Sequence, residues 1–268
     1  MKLLKYGNKG EQVERLQVKL NENGAKLAVD GDFGRATEKA VMAFQRSAGL
    51  AVDGVVGIKT WQALYGEPSI HLLSMADYET AANELGVPVN VVQAFAKVES
   101  RGAGFFGVDQ PAILFERHVF YRLLKSKYGK NTADTLAQRH PNIISTKTGG
   151  YKGGASEYVR LNFAKTIDKD LAYSSASWGM FQVMGENWQV LGYASVDEFV
   201  SLMRQGESHH LDAFVRFCKT KKGLLDALQT GDWDKVFTLY NGRAYKKHGY
   251  DYKFLRELRR LELISEKA

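Results

Sequence analysis

Residues 94–101 read Ala-Phe-Ala-Lys-Val-Glu-Ser-Arg, preceded by Val91-Val92-Gln93. Val91, Val92, Ala94, Phe95, Ala96 and Val98 make a helix apolar almost all round, the pattern of a buried element. It carries one carboxylate, Glu99, just before Arg101-Gly102 breaks the helix. A carboxyl group in an apolar wall resists ionisation, and the negative end of the helix dipole adds to that resistance. Such a group still holds a proton near neutral pH and can act as a general acid. The plainer reading of Glu99 is a surface ion pair with Lys97 or Arg101.

Two segments downstream suit the walls of a cleft. In Ser175-Ala176-Ser177-Trp178-Gly179-Met180-Phe181-Gln182-Val183-Met184-Gly185, aromatic and amide side chains alternate with small residues. Phe181, Val183 and Met184 read as core, whereas Ser177, Trp178 and Gln182 read as substrate-binding residues. In Leu239-Tyr240-Asn241-Gly242, Tyr240 offers a platform for a sugar ring and Asn241 a hydrogen-bonding amide. Glycoside hydrolysis usually needs a second carboxylate. The best placed is Glu116, in Ile113-Leu114-Phe115-Glu116-Arg117-His118, with Asp109 in reserve. Glu116 could equally pair with Arg117 or His118, or sit as a dipole-favoured acid at a helix start. His118 reads as structural.

The N-terminal part is organised by a repeat. Val29-Asp30-Gly31-Asp32-Phe33-Gly34 recurs as Val52-Asp53-Gly54-Val55-Val56-Gly57, each an Asp-Gly turn leading into a helix. Helices are expected over about 9–23, 34–47 and 57–65, giving a three-helix unit over 1–66 and a linker over 67–73. Residues 74–268 form a second domain, mostly helical: about 74–85, 88–100, 116–128, 131–138, 155–171, 177–190, 195–205, 207–220, 222–230, 232–240 and 250–265. Residues 101–115 suit a short strand or ordered loop. The glycine-rich stretch 141–154 suits a cleft rim.

The net charge of +7 favours a polyanionic partner, among them bacterial cell wall. No Lys/Arg tract or zinc-finger spacing points to nucleic acid. The six histidines form no His-Glu-x-x-His or other zinc spacing, and adjacent His209 and His210 point to different sides of a helix, so neither metal nor organic cofactor is expected. The lone Cys218 sits in an apolar run and reads as an inert thiol. The N-terminus lacks the apolar region of a secretory signal, and no stretch is long enough to span a membrane. Synthesis in the cytoplasm is therefore expected, and action on peptidoglycan in the periplasm or cell wall would follow release by another route. The basic amphipathic stretch 250–265 reads as a helix packed on its own domain, with membrane-surface contact as the alternative.

Two resemblances follow. Gly10-x-x-Val13-x-x-Leu16-Gln17-x-x-Leu20, both Asp-Gly loops and Ala43-Phe44-Gln45 resemble the peptidoglycan-binding domain of many wall hydrolases. The ordered set Glu99-Ser100-x-Gly102, Ile113 to His118, Gly149-Gly150-Tyr151, Glu157-Tyr158-x-Arg160-Leu161, Ser175 to Gly179, Asp232-Trp233 and Tyr240-Asn241-Gly242 resembles the N-acetylmuramidase domain of modular phage endolysins, within the lysozyme-like superfamily. The resemblance implies a mainly α fold, a small peptidoglycan-binding bundle joined to a larger lysozyme-like helical domain. It implies hydrolysis of the β-1,4 bond between N-acetylmuramic acid and N-acetylglucosamine, with the family's catalytic glutamate at Glu99, causing host cell lysis. A monomer is expected. A lytic transglycosylase, which closes the muramic 6-hydroxyl on the anomeric carbon without water, and a non-catalytic wall-binding protein are the alternatives.

Overall fold

A computed structural model describes residues 3–50, 52–66, 72–99, 104–107, 110–242 and 245–265. The linker residues 67–71, the helix-breaking Arg101-Gly102 and the reserve acid Asp109 lie outside the described residues. The chain separates into two compact units, Met1–Ser74 and Met75–Ala268.

The first unit holds α1 (Glu11–Glu22), α2 (Arg35–Ser47) and α3 (Ile58–Leu64). Val13, Leu16 and Leu20 recur at helical spacing and meet Phe33, Val41, Val56, Trp61 and Leu64 in one core. Each Asp-Gly loop hangs on a buried glutamine. The Gln17 amide donates to Asp30 Oδ1 (2.7 Å) and the Asp32 carbonyl (3.1 Å), and its Oε1 accepts from the backbone N–H groups of Asp30 (3.0 Å) and Gly31 (2.9 Å). Gln45 repeats the arrangement on Asp53 Oδ1 (3.0 Å), the Val55 carbonyl (3.0 Å) and the N–H groups of Asp53 (3.2 Å) and Gly54 (3.0 Å). Gly31 and Gly54 have φ near +70° (69° and 70°), a conformation that favours glycine. Replacing Gln45 with Leu strands a buried N–H and a carbonyl at once. Stability of this unit should fall by about 2–3 kcal/mol, read as a lower calorimetric midpoint; an unchanged midpoint would show that the loop stands without its glutamine.

The second unit is built around Phe95 on α5 (Val89–Glu99), itself packed on α4 (Met75–Leu85). The Phe95 ring lies 5.6 Å from Phe214 on α11 (Glu207–Thr220) and 5.4 Å from Phe237 on α13 (Trp233–Asn241). It lies 4.7 Å from Phe254 on α15 (Tyr250–Ser265). Phe254 and Leu258 point inward while Lys253 and Arg256 stay exposed, so α15 packs on its own domain. The remaining helices are α6 (Arg117–Tyr128), α7 (Lys130–Arg139), α8 (Ser156–Ile167), α9 (Lys169–Ser174), α10 (Val196–Gln205), α12 (Leu224–Thr230) and the short α14 (Tyr245–His248). Among the described residues no helix is long and apolar enough to cross a membrane.

Residues 101–115 contain three short strands: β1 (Phe105–Gly107), β2 (Gln110–Pro111) and β3 (Ile113–Phe115). The expected helix over 177–190 is absent. In its place β4 (Ala176–Trp178) pairs with β3 and turns back into β5 (Val183–Met184), followed by a single 3-10 turn at Gly185–Asn187. Gly179 (φ 72°) and Gln182 (φ 49°) bring the chain round, and neither conformation fits a right-handed helix. The expected helix over 155–171 is also interrupted. Asp168 leaves helical geometry and caps α9, its Oδ1 accepting from the Leu171 N–H at 3.0 Å.

One buried ion pair ties these pieces together. Glu157 is fully buried and takes Arg160 Nη1 at 2.7 Å, the Phe115 N–H at 3.2 Å and the N–H groups of Lys152 (2.5 Å) and Gly153 (2.9 Å). Arg160 also donates to the carbonyls of Phe115 (3.0 Å) and Asn142 (3.0 Å). The pair thereby fastens β3 and both ends of the polar stretch 141–154 to α8.

Candidate active site

A cleft of about 650 Å³ opens where the C-terminal end of α5, the β3–β4–β5 sheet and the end of α13 converge. Its walls include Ala112, Ile113, Met180, Phe181 and Val183, with Ser177, Gln182, Tyr240 and Asn241 as polar members. Glu99 lies at this wall and is the one carboxylate among the described lining residues. Burial pushes its carboxyl up from the ordinary 4.5 to about 7. A hydrogen bond from Asn241 Nδ2 to Oε1 (3.2 Å) pulls the other way and is the weaker influence. The alternative ion pair with Lys97 does not form; Lys97 is exposed, and Arg101 lies outside the described residues. At neutral pH a sizeable fraction of Glu99 is thus a neutral acid facing a cleft.

The expected polar residues divide by what they touch. Ser177 Oγ donates to Gln182 Oε1 at 2.7 Å, and Gln182 Nε2 donates to the carbonyls of Gly179 (2.8 Å) and Ala112 (3.2 Å). Both line the cleft, yet the Gln182 amide is engaged in shaping the turn between β4 and β5. Tyr240 Oη donates to the Phe181 carbonyl at 2.8 Å, which ties α13 to the same turn. Burial, and then the nearby Glu99 charge, hold its phenol well above the ordinary value, so it remains a donor.

Trp178 does not belong to the cleft. Its indole is wholly buried, donates to the Tyr173 carbonyl at 3.0 Å and packs edge-on against the Tyr173 ring. Alternation along β4 sets Trp178 and Ser177 on opposite faces, so only Ser177 reaches the opening. Glu116 is not among the lining residues either. It precedes α6, where both carboxylate oxygens accept from Tyr151 Oη (2.8 and 2.9 Å) and His118 Nδ1 lies 3.2 Å from Oε2. That cluster, with Arg117 donating to the Lys147 and Thr148 carbonyls, holds the polar stretch 141–154 against α6. Phe106, Asn187, Phe217 and Tyr250 also line the cleft, beyond the residues expected from the sequence. Asn187 reaches the cleft from the 3-10 turn that stands where a helix over 177–190 is expected. Tyr250 carries a usable signal, an aromatic directly after Gly249 at the start of the last helix.

The turn that carries Gln182 rests on His210. Its Nδ1 accepts from the Met180 N–H (3.1 Å) and its Nε2 faces the Met203 carbonyl (2.7 Å), as in the tautomer protonated at Nε2. A Cβ on Gly179 would sit 2.6 Å from the His210 ring, at a φ where side chains are already strained. Gly179→Ala should therefore cost about 2–3 kcal/mol and displace the cleft wall, read as a lower melting midpoint and weaker wall hydrolysis. Normal activity and stability together would show that this turn is not needed in its present shape. Among the described residues no three His, Cys, Asp or Glu side chains gather as a metal site.

Comparison with known proteins gives two domain matches. Residues 88–262 match the N-acetylmuramidase family, and residues 9–64 match the putative peptidoglycan binding domain. Among solved structures, that of a Burkholderia AP3 phage endolysin is 43% identical, with a TM-score of 0.73, over 97% of this chain and 98% of that one. Curated relatives match over short stretches of the chain. A zinc D-Ala-D-Ala carboxypeptidase of Streptomyces albus G is 45% identical over 65 residues, 23% of this chain and 26% of that protein. An N-acetylmuramoyl-L-alanine amidase of Mycobacterium tuberculosis is 44% identical over 57 residues, 21% of this chain and 14% of that protein. The chain thus spans about a quarter or less of the length of these two relatives.

Proposed function

Since this chain belongs to the N-acetylmuramidase family, we propose that it hydrolyses the β-1,4 bond between N-acetylmuramic acid and N-acetylglucosamine of peptidoglycan, with Glu99 as general acid. The chain is a modular cell-wall glycoside hydrolase: the N-terminal unit holds the wall and the larger unit cuts the glycan. One observation carries the assignment of Glu99, a carboxyl group raised to about 7 at the wall of an apolar cleft. Protonated Glu99 gives its proton to the 4-oxygen of N-acetylglucosamine as the bond from muramic C1 breaks. Water then adds its oxygen to C1, and its proton passes to the glutamate, restoring the acid. The aromatic and aliphatic wall excludes bulk water and holds the sugar faces, and Ser177 supplies a polar contact. The protein acts as a monomer, is made in the host cytoplasm and lyses the host once it reaches the wall.

A second reading has its own support. Because Glu99 is the one carboxylate among the described lining residues and Glu116 is held elsewhere, Glu99 could serve as acid and then base, closing the muramic 6-hydroxyl on C1 as a lytic transglycosylase does. Mass spectrometry of the sugar ends released from purified peptidoglycan separates the two. Reducing muramic ends, absent with Glu99→Gln, support the hydrolase. Anhydromuramic ends make it a transglycosylase, and intact glycan with cleaved peptides would sink both.

A further inference from the structure

Asn241 combines two features seldom found on one amide. Its Nδ2 donates to Glu99 Oε1 at 3.2 Å, while its Oδ1 is buried without a hydrogen-bond partner. An unmet buried acceptor disfavours the fold, and an apolar side chain of similar size would avoid that cost. Packing alone is therefore a poor account of an amide here. The bond to Glu99 is its one hydrogen-bonding contact among the described residues. Asn241 is the last residue of α13, and the preceding Tyr240 is locked to the Phe181 carbonyl, so the amide reaches the carboxyl from a fixed base.

We propose that Asn241 is a positioning residue for Glu99: by occupying Oε1 it places the transferable proton on Oε2 and orients that oxygen toward the scissile bond. The proposal rests on Glu99 being the general acid. A carboxylic acid free to rotate carries its proton on either oxygen and in several directions. A donor fixed on Oε1 makes that oxygen the acceptor and leaves Oε2 to bear the proton. The same bond stabilises the ionised form, so Asn241 also moderates the elevation that burial imposes on Glu99. The other titratable groups on this cleft are Tyr240 of α13 and Tyr250 of α15, with Cys218 of α11 behind Tyr240. No charged side chain contributes to the shift of Glu99 among the described residues.

The test is the pH dependence of kcat for wall hydrolysis by the full chain, with Asn241→Leu and Asn241→Asp beside the wild type. An acid works only while protonated, so activity falls as pH rises through its pKa. Asn241→Leu removes the bond that lowers that pKa, and the alkaline limb should move up by about half a pH unit or more. kcat should drop about ten- to a hundredfold with KM nearly unchanged, and the melting midpoint should hold or rise. Asn241→Asp keeps the shape but sets a second carboxylate beside the first, which should move the limb further the same way. Limbs that stay in place in both variants overturn the proposal, as does a pure KM effect, which would make Asn241 a substrate contact only. Glu99→Gln runs alongside as the control: if it stays active the general-acid assignment fails, whereas an inactive Glu99→Gln with unmoved Asn241 limbs refutes only the role given to Asn241.

Discussion

Glu99→Gln should lower the rate of glycan cleavage by about a thousandfold, the scale on which a positioned general acid contributes. It should also make the protein more stable above neutral pH. The sign follows from linkage. Glu99 titrates near 4.5 when exposed and near 7 when folded, so the folded state holds its proton more tightly. That contribution is fully present below 4.5 and is lost as pH rises to 7. Above 7 the fold carries a desolvated carboxylate that the unfolded chain would hydrate, at a cost on the order of 3 kcal/mol. Gln has no such titration. Calorimetry at pH 5 and pH 8 should therefore show the variant gaining on the wild type mainly at the higher pH. A variant that keeps more than a tenth of the wild-type rate removes Glu99 from the chemistry. A stability difference flat between the two pH values would mean that Glu99 is not buried as described.

Glu157 gives the second large effect, opposite in its dependence on pH. Burial alone would raise this carboxyl, but the N–H groups of Gly153 and Lys152, with Arg160 and the Phe115 N–H, outweigh it and hold the pKa below the ordinary value. Its stabilisation is present above the unfolded pKa and is lost as pH falls through the depressed folded one. Glu157→Ala leaves a buried guanidinium and three N–H groups without their acceptor. A loss of about 3–5 kcal/mol is expected, enough to threaten the unit at physiological temperature. The double variant Glu157→Leu with Arg160→Met should recover part of it, because no lone charge remains, although the stranded N–H groups stay unmet. Chemical denaturation of the three proteins measures this directly. A single variant losing less than 1 kcal/mol would show that water reaches and satisfies Arg160.

The helices were legible because they carry either an apolar stripe or a punctuating residue. Val13, Leu16 and Leu20 mark α1 and the Asp-Gly turns mark the starts of α2 and α3, while Glu99 stands out as the lone acid of an apolar helix. What failed was short-range. Residues 177–190 hold a run of apolar and small residues too brief to separate a buried strand from a buried helix by periodicity. The positive φ of Gly179 and Gln182 decides the matter and leaves little trace in composition. An aromatic such as Trp178 suits a cleft wall by composition, but strand alternation sets it on the face opposite Ser177. Glu116 shares with Glu99 an acid beside apolar residues. What distinguishes them is Tyr151, thirty-five positions away, which grips one carboxylate and leaves the other to the cleft. Such a partner is a product of the fold and cannot be seen in the local sequence.

The two glutamine-hung loops of the N-terminal unit also bear on how the protein ages. Asp-Gly is among the dipeptides most prone to spontaneous isoaspartate formation, because glycine leaves the next backbone nitrogen unshielded to attack the aspartyl side chain. At both Asp30-Gly31 and Asp53-Gly54 that nitrogen points its hydrogen at a glutamine carbonyl, and the carboxylate it would attack is held by the same amide and by the N–H two residues on. Ring closure needs both groups released and the peptide turned, so each glutamine acts as a chemical preservative as well as a brace. The covalent lifetime of these loops is thereby coupled to how seldom they open.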